Sequence, residues 1–389
     1  MDIKIANYDK SETDTLKLDI YNCNSSFVNT LRRTIITEVE TISFHTEDYE
    51  TSDIKIIENT SSLHNEFLLH RIGLIPVNTQ NIESFDVTKY KFIIDVENKS
   101  NIPIDITTKD IKILNLETDT FENNESFFPR NPITKDYILI NRLKPTPYGT
   151  GEKLHLEGKA SKGIGKTHIR YSPVSNVCFI NKVNPEIYNA EFEKYKIENP
   201  DVDSKELENK FKIEESEKCF YINDNGEPYV FEFTVESCGV MKPYTILVEG
   251  LNKIIFKLKY FISEFNKSIS NNDSIVDIKE STSLMKAFDV VVNGETHTLG
   301  HLLQSHINEM FKEKNIFVGY MNPHPLEQKI IFRINVSNIN ELKELFTKTS
   351  SELISQCENL VAIISKDFKS KIKISPKAKA KAKAKAKAK

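Results

Sequence analysis

Two long stretches of the chain repeat apolar residues at spacings of three and four, and each makes a stripe too wide to be left in water. From near Tyr244, the residues Leu247, Leu251, Ile254, Ile255, Leu258, Phe261, Ile262 and Phe265 share one side of a helix. The spacing predicts about twenty residues of amphipathic helix. Further on, Leu342, Phe346, Leu353, Cys357, Leu360 and Ile364 form a second stripe, with Leu345, Ile354 and Val361 beside it. Faces of this width must be covered by another element.

Each stripe closes a similar run of shorter elements. In the front run, Ile3 and Ile5, then Leu16, Leu18 and Ile20, alternate as a hairpin around a polar turn from Asp9 to Asp14. Asn24-Ser25-Ser26 then offers caps for a helix in which Phe27, Leu31 and Ile35 recur every four residues. Arg32 and Arg33 fall off that stripe. In the rear run, Phe288 to Val292 reads as a strand ending at Asn293-Gly294. Thr296 or Thr298 caps a helix with Leu299, Leu302, Leu303, His306, Ile307 and Met310 on one face, and Ile316 to Tyr320 and Lys329 to Val336 follow as strands. Two like units predict a pseudo-symmetric internal pair. Its expected interface is Phe27, Leu31, Ile35, Leu247, Leu251, Leu258 and Ile262 from the front. The rear contributes Leu299, Leu302, Leu303, Ile307, Leu342, Phe346, Leu353 and Leu360.

Between these runs a short helix is expected at about Ser62 to Ile72, capped by Ser61 or Ser62. Gly73 is expected as its left-handed terminal residue, and Pro76 bars its continuation. Residues 85–180 hold short alternating runs broken by Pro and Gly, a β-rich insert. Asn184 to Lys218 is highly charged and partly helical, and Tyr229 to Val235 is a strand after the Asn225-Gly226 turn. Lys267 to Ser283, rich in Ser, Asn and Asp, reads as a linker. The expected class is α+β, with antiparallel sheets packed on helices. The expected domains are 1–45 with 180–266, an insert at 46–179, the linker at 267–283, a rear domain at 284–368 and a disordered tail at 369–389.

Composition limits the functions open to such a chain. No apolar run approaches the ~20 residues that cross a bilayer, and Met1-Asp2-Ile3-Lys4 lacks the apolar run of a secretory signal. Cysteines stand at 23, 178, 219, 238 and 357 with no C-x-x-C pair, which fits free thiols in a reducing compartment, each filling a small apolar space. The net charge is −4, but the last residues alternate Lys and Ala, and without their seven lysines the body carries −11. Lys377, Lys379, Lys381, Lys383, Lys385, Lys387 and Lys389 have two readings. They contact nucleic acid through counterion release, or they are a disordered solubilising end.

Catalytic signals are weak. Ala160 to Thr167 (ASKGIGKT) nearly matches a phosphate-binding loop, with Ala in place of the first Gly. But His168-Ile-Arg-Tyr-Ser-Pro173 follows, alternating like a strand where the phosphate-holding helix should begin. His297 and His301 are four apart, yet no glutamate lies between them and no third ligand is in view. His64 and His70 fall on different helix faces. No nucleophile–base pair and no paired carboxylates stand out.

Two motif blocks carry a resemblance. Phe27-V-N-T-L-R-R33 and Asn59-T-S-S-L-H-N-E-F-L-L-H-R-I-G-L-I-P-V77 resemble the third-largest subunit of cellular RNA polymerases, whose relatives are its archaeal D-type counterpart and the first domain of bacterial alpha. Leu143-K-P, Leu154 to Val174 and Phe231-E-F-T-V-E-S-C-G239 are similar to the same family. After residue 283, His297-T-L-G-H-L-L303 and Phe317-V-G-Y-M-N-P-H-P-L-E327 resemble the small eleventh subunit and its archaeal L-type counterpart. The likeness covers about 1–266 and 284–368. It implies a fusion of two usually separate subunits, of the kind found in large DNA viruses.

The resemblance implies a non-catalytic assembly platform of a DNA-directed RNA polymerase, an internal alpha-like pair that docks the two largest subunits and small assembly subunits. Arg32, Arg33, Glu66, His70 and Arg71 are the expected large-subunit contacts. No cofactor, metal, membrane or second copy of the chain is expected, and DNA is met only indirectly or through the tail. Many third-subunit relatives carry a cysteine cluster in the insert. Here only Cys178 stands near it, so that metal site is expected to be missing. A viral source implies the cytoplasmic factory or the virion, with the nucleus as the alternative. The rival readings are an NTP-binding enzyme using Ala160 to Thr167 and a tail-driven nucleic-acid adaptor.

Overall fold

Period-two alternation and the two helical stripes set the architecture. The computed structural model describes residues 4–6, 14–47, 50–79, 82, 85–131, 133–145, 151–200, 202–270, 273–281, 286–314 and 316–369. The chain begins with β1 (Lys4–Ala6), β2 (Thr15–Tyr21) and α1 (Ser25–Glu38). It continues through β3 (Glu40–Ser43), β4 (Ile54–Asn59), α2 (Asn65–Gly73), β5 (Tyr90–Glu97), β6 (Ile104–Thr107), β7 (Lys112–Asn115), β8 (Thr120–Phe121) and α3 (Asn124–Phe127). Next come β9 (Leu139–Leu143), β10 (Lys153–Gly158), β11 (Ser161–Ile164), β12 (Val174–Asn181), α4 (Pro185–Glu198), α5 (Ser204–Glu214), β13 (Val230–Ser237) and α6 (Pro243–Ile269). The rear half holds β14 (Val276–Glu280), β15 (Phe288–Asn293), α7 (His297–Met310), β16 (Val318–Met321), β17 (Lys329–Ile334) and α8 (Ile339–Lys369).

The front sheet runs β1-β2-β13-β12, all antiparallel. Leu16, Leu18 and Ile20 stand opposite Val235, Phe233 and Phe231, so one face is wholly apolar. Helices α1 and α6 cover it. Asn24 caps α1, its side-chain oxygen accepting from the Phe27 N–H at 2.9 Å. The rear sheet runs β14-β15-β17-β16 and pairs Val290 with Phe332 and Val292 with Ile330. A five-stranded sheet, β4-β10-β5-β7-β8, has a separate core around Phe44, Phe92, Phe127 and Phe128.

Helix α6 crosses α1 at Gly250. A Cβ there would lie 2.7 Å from Ile35 Cγ1, inside a fully buried side chain that has no room to move. In an open helix Gly→Ala stabilises by up to ~1 kcal/mol. Here Gly250→Ala is expected to destabilise by about 1–3 kcal/mol through overpacking, read as a lower urea midpoint. A higher midpoint would show that the two helices are not in contact at this residue.

Several expected boundaries shift. Helix α6 has 27 residues rather than about twenty and runs past 266. The segment 267–283, read as a linker, supplies the last turn of α6 and then β14, an edge strand that pairs Val276 with Val292 and Ile278 with Val290. A buried carboxylate fixes this return: Glu264, 5 % exposed, accepts from Ser274 Oγ (3.1 Å) and the Ile275 N–H (3.3 Å). Only two apolar residues of β14 face the core, too few to show as alternation.

Ile42 and Phe44, outside the insert expected at 46–179, pack in the same core as Phe92, and β12, within those bounds, pairs with β13 in the front sheet. Helix α2 begins at Asn65, not Ser62, with His64 as its cap, because Asn59 Oδ1 holds Ser61 instead. Gly73 is not in the left-handed region. It is small because a Cβ would fall 2.3 Å from Thr46 Oγ1. The charged 184–218 stretch is the hairpin of α4 and α5, closed by Tyr188, Phe192 and Tyr195 around the buried Phe211. Among the described residues no helix is long and apolar enough to cross a membrane.

Candidate functional site

The most distinctive feature is the apolar seam along which the front helices α1 and α6 pack against the rear helices α7 and α8. The stripes of α6 and α8 face each other antiparallel: Phe265 lies against Phe346 (5.1 Å between ring centres), while Lys259 reaches Glu358 at 3.0 Å one end further along. Phe346 also meets Phe261 at 5.2 Å and Phe332 at 5.5 Å. Crossing beside them are α1 and α7. One continuous core therefore runs from Leu16 in β2 to Ile364 in α8. Of the expected interface residues, Phe27, Leu31, Ile35, Leu247, Leu251, Leu258, Leu299, Leu302, Leu303, Ile307, Leu342, Phe346, Leu353 and Leu360 lie in it, each at most 3 % exposed. Ile262 is half-buried against it.

A polar rim frames this seam. Asn24 Nδ2 donates to Glu309 Oε2 (3.3 Å), Lys166 Nζ to Gln328 Oε1 (3.2 Å) and Lys312 Nζ to Asn225 Oδ1 (2.9 Å). Lys257 on α6 bridges Glu38 at 2.9 Å and Glu295 at 3.6 Å. The Glu295 side chain is 14 % exposed, and burial, with the Glu38 charge beside it, pushes its carboxyl above the usual range while Lys257 opposes the shift. Sequence reasoning missed Lys257, Glu295 and the acceptor role of Thr298. Only the fold brings these partners together. His306 is also buried at the seam, its Nδ1 donating to the Leu302 carbonyl (3.1 Å) and its ring tilted 6.5 Å from that of Phe27.

The residues expected to contact large partners divide. Arg32 is half-buried, and its Nε and Nη2 hold Asn29 Oδ1 on the same helix (3.1 and 3.0 Å). Arg33 reaches across the seam, where its Nε donates to Thr298 Oγ1 at 2.8 Å, so it is part of the joint between the halves as well as exposed. Glu66 and His70 are exposed on α2. Arg71 does not present a free fork. Its guanidinium donates to the carbonyls of Ile140 (2.9 Å) and Leu139 (2.7 Å), tying α2 to β9.

Ala160 to Thr167 is not a phosphate cradle. Ser161–Ile164 is β11, paired with β3, and the Lys166 N–H donates to the Thr37 carbonyl at 2.9 Å. A single 3₁₀ turn, Ile169–Tyr171, follows in place of a helix. His297 and His301 flank the Tyr320 ring at 5.8 and 6.2 Å. Cys23, Cys219 and Cys357 are buried and Cys238 is half-buried, but Cys178 is exposed, against the expectation that each fills an apolar space. Among the described residues no group of three or more His, Cys, Asp or Glu is arranged to hold a metal ion. The lysines from Lys377 to Lys389 lie outside the described residues.

Against known proteins, residues 287–362 match the family described as the RNA polymerase Rpb3/Rpb11 dimerisation domain. The chain is similar to the DNA-directed RNA polymerase II subunit RPB3 of Schizosaccharomyces pombe, 24 % identical over 315 residues, covering 76 % of this chain and 98 % of the relative. It is also similar to the DNA-directed RNA polymerase subunit Rpo3 of Methanopyrus kandleri, 23 % identical over 299 residues, with 74 % and 92 % covered. A conjugation stage-specific protein of Tetrahymena thermophila is 29 % identical over 293 residues, with 64 % and 91 % covered. These likenesses support an alpha-like subunit of RNA polymerase, a non-catalytic and structural member of the complex.

Proposed function

We propose that this chain is the assembly platform of a multisubunit DNA-directed RNA polymerase, and that one polypeptide supplies both members of an alpha-like pair. The observation that carries this reading is the apolar seam of α6 against α8, with Phe346 set among rings from both halves. The lengths agree with it. Relatives matched over 91–98 % of themselves occupy only 64–76 % of this chain, so about a quarter to a third of it is additional to them. The dimerisation-family match lies in the rear part.

In this reading the exposed side of α1 and α7, with Arg32 and the outer part of Arg33, faces the two largest subunits, and Glu66 and His70 on α2 form a second patch. The viral source, with transcription in a cytoplasmic factory or the virion, and a nucleic-acid role for the Lys-Ala tail belong to the same proposal.

Cutting the chain between Ser270 and Asp273 and co-expressing the pieces is expected to give a complex that co-elutes. Burial of the seam, at roughly 1.5–3 kcal/mol per large apolar side chain before ordering costs, does not need the covalent join. Pieces that fold but elute apart would refute the internal pair. Purification of the tagged full chain is expected to bring two large chains with RNA-polymerising activity. Arg32→Ala is expected to weaken that recovery while the free chain stays folded.

A further inference from the structure

Beside the seam, the first turn of α7 meets α1 at a small cleft of about 110 Å³. Its walls include Arg33, Thr298, His297, His301 and Ser26, and no lining residue is a carboxylate. Arg33 gives one N–H to Thr298 Oγ1 and makes no ion pair among the described residues. Helix α7 has fourteen residues, and its cap, Thr296, makes no side-chain hydrogen bond to the first turn. The positive end of the helix dipole and its leading N–H groups are thus left without a side-chain acceptor. His297 and His301, one turn apart, also line the cleft, with His297 Nδ1 3.4 Å from the Tyr320 hydroxyl.

A separate observation concerns Ser26. It is 3 % exposed in the cleft wall, and its hydroxyl has no hydrogen-bond partner. Burying a hydroxyl without a partner is unfavourable, and an acceptor entering the cleft would satisfy it. Donors, a cation and a helix N-terminus converge there, no carboxylate lines the cleft, and Glu295, just before the α7 cap, is paired with Lys257. We propose that this cleft binds a phosphate-class oxyanion, held by Arg33, the first turn of α7 and the Ser26 hydroxyl.

The cleft has room for one such group. A second hollow of about 530 Å³ shares Ser26 and His301 with it and is lined further by Ser305, Asn308, Glu309 and Glu227. Those two carboxylates outnumber the Lys312 ammonium that also lines it, so the hollow disfavours a second anionic group but leaves space for a neutral polar body. The ligand is therefore either free phosphate or a phosphate monoester whose sugar-like part lies in that hollow. This inference does not depend on the polymerase reading, because the isolated chain and a free anion suffice to test it.

Inorganic phosphate titrated calorimetrically into the full chain, at ionic strength held constant with chloride, is expected to bind saturably with one site. Arg33→Gln is expected to weaken it about tenfold or more, as loss of a charge-assisted contact does. Ser26→Ala, which removes a single oxygen atom, is expected to weaken it by a smaller factor, and it keeps the test open if the arginine variant does not fold. Adenosine monophosphate is the second probe. Affinity above that of phosphate identifies the monoester, and equal affinity identifies the free ion. Absence of saturable binding, or equal affinity in the parent and in folded Arg33→Gln and Ser26→Ala chains, overturns the proposal.

Discussion

Replacing Phe346 by Ala is expected to lower the unfolding free energy of the whole chain by about 3–5 kcal/mol, the range for removing a fully buried ring. The ring is 0 % exposed and lies within 5.5 Å of the ring centres of Phe261, Phe265 and Phe332. Two of these neighbours sit on the front helix α6 and one on the rear strand β17. The cavity therefore opens at the junction, where neither half can close it alone. Urea unfolding followed by far-ultraviolet circular dichroism reads the effect. Phe346→Leu, which keeps most of the volume, is expected to lose much less. If both variants stay within about 1 kcal/mol of the parent, the two stripes are not packed on each other and the internal pair fails with them.

Acidification is expected to weaken the chain through His306. Burial drives its imidazolium form down, from 6.5 to about 4, while the Leu302 carbonyl opposes the shift. Above pH 6.5 both folded and unfolded chains hold it neutral, so its contribution is complete. As the pH falls below 6.5 the unfolded chain takes up a proton that the folded chain refuses. Stability then drops by about 1.4 kcal/mol per pH unit until the folded form also protonates near pH 4, a loss of roughly 3 kcal/mol.

Glu295 and Glu309 act with the opposite sign. Burial raises both carboxyls, so their contribution falls as pH rises from the usual carboxylate range to their raised values. The comparison that isolates His306 is the slope of unfolding free energy against pH for the parent and for His306→Leu. A clearly flatter acid limb in the variant is expected, and identical slopes would show that the ring is hydrated in the folded chain.

Much of this architecture is legible in the residues because it depends on periodicity. The stripe from Leu247 to Phe265 and the alternation of Leu16, Leu18 and Ile20 are local patterns whose meaning does not need the rest of the chain. The seam could be anticipated from two unpaired stripes. What could not be read depends on meetings at a distance. Gly73 looks like a helix terminator in sequence, and only the approach of Thr46 shows why it is glycine. Val276 and Ile278 are too few to announce a strand until β15 lies beside them. Arg71 looks like a free cation until the carbonyls of β9 come within its reach. Lys257 is one lysine among many until Glu38 and Glu295 converge on it from different elements.

The order of elements has a consequence for synthesis. The α6 stripe is complete at Ile269, whereas the helix that covers it ends at Lys369, about a hundred residues later. A ribosome moving at 5–20 residues per second needs roughly 5–20 s to cross that distance. Throughout that interval a nascent front half shows its greasiest surface to water, with its cover still inside the exit tunnel or unmade. Slow codons after residue 270 would lengthen the window in which newborn chains can stick to one another, and a holdase waiting at the tunnel mouth would shorten it.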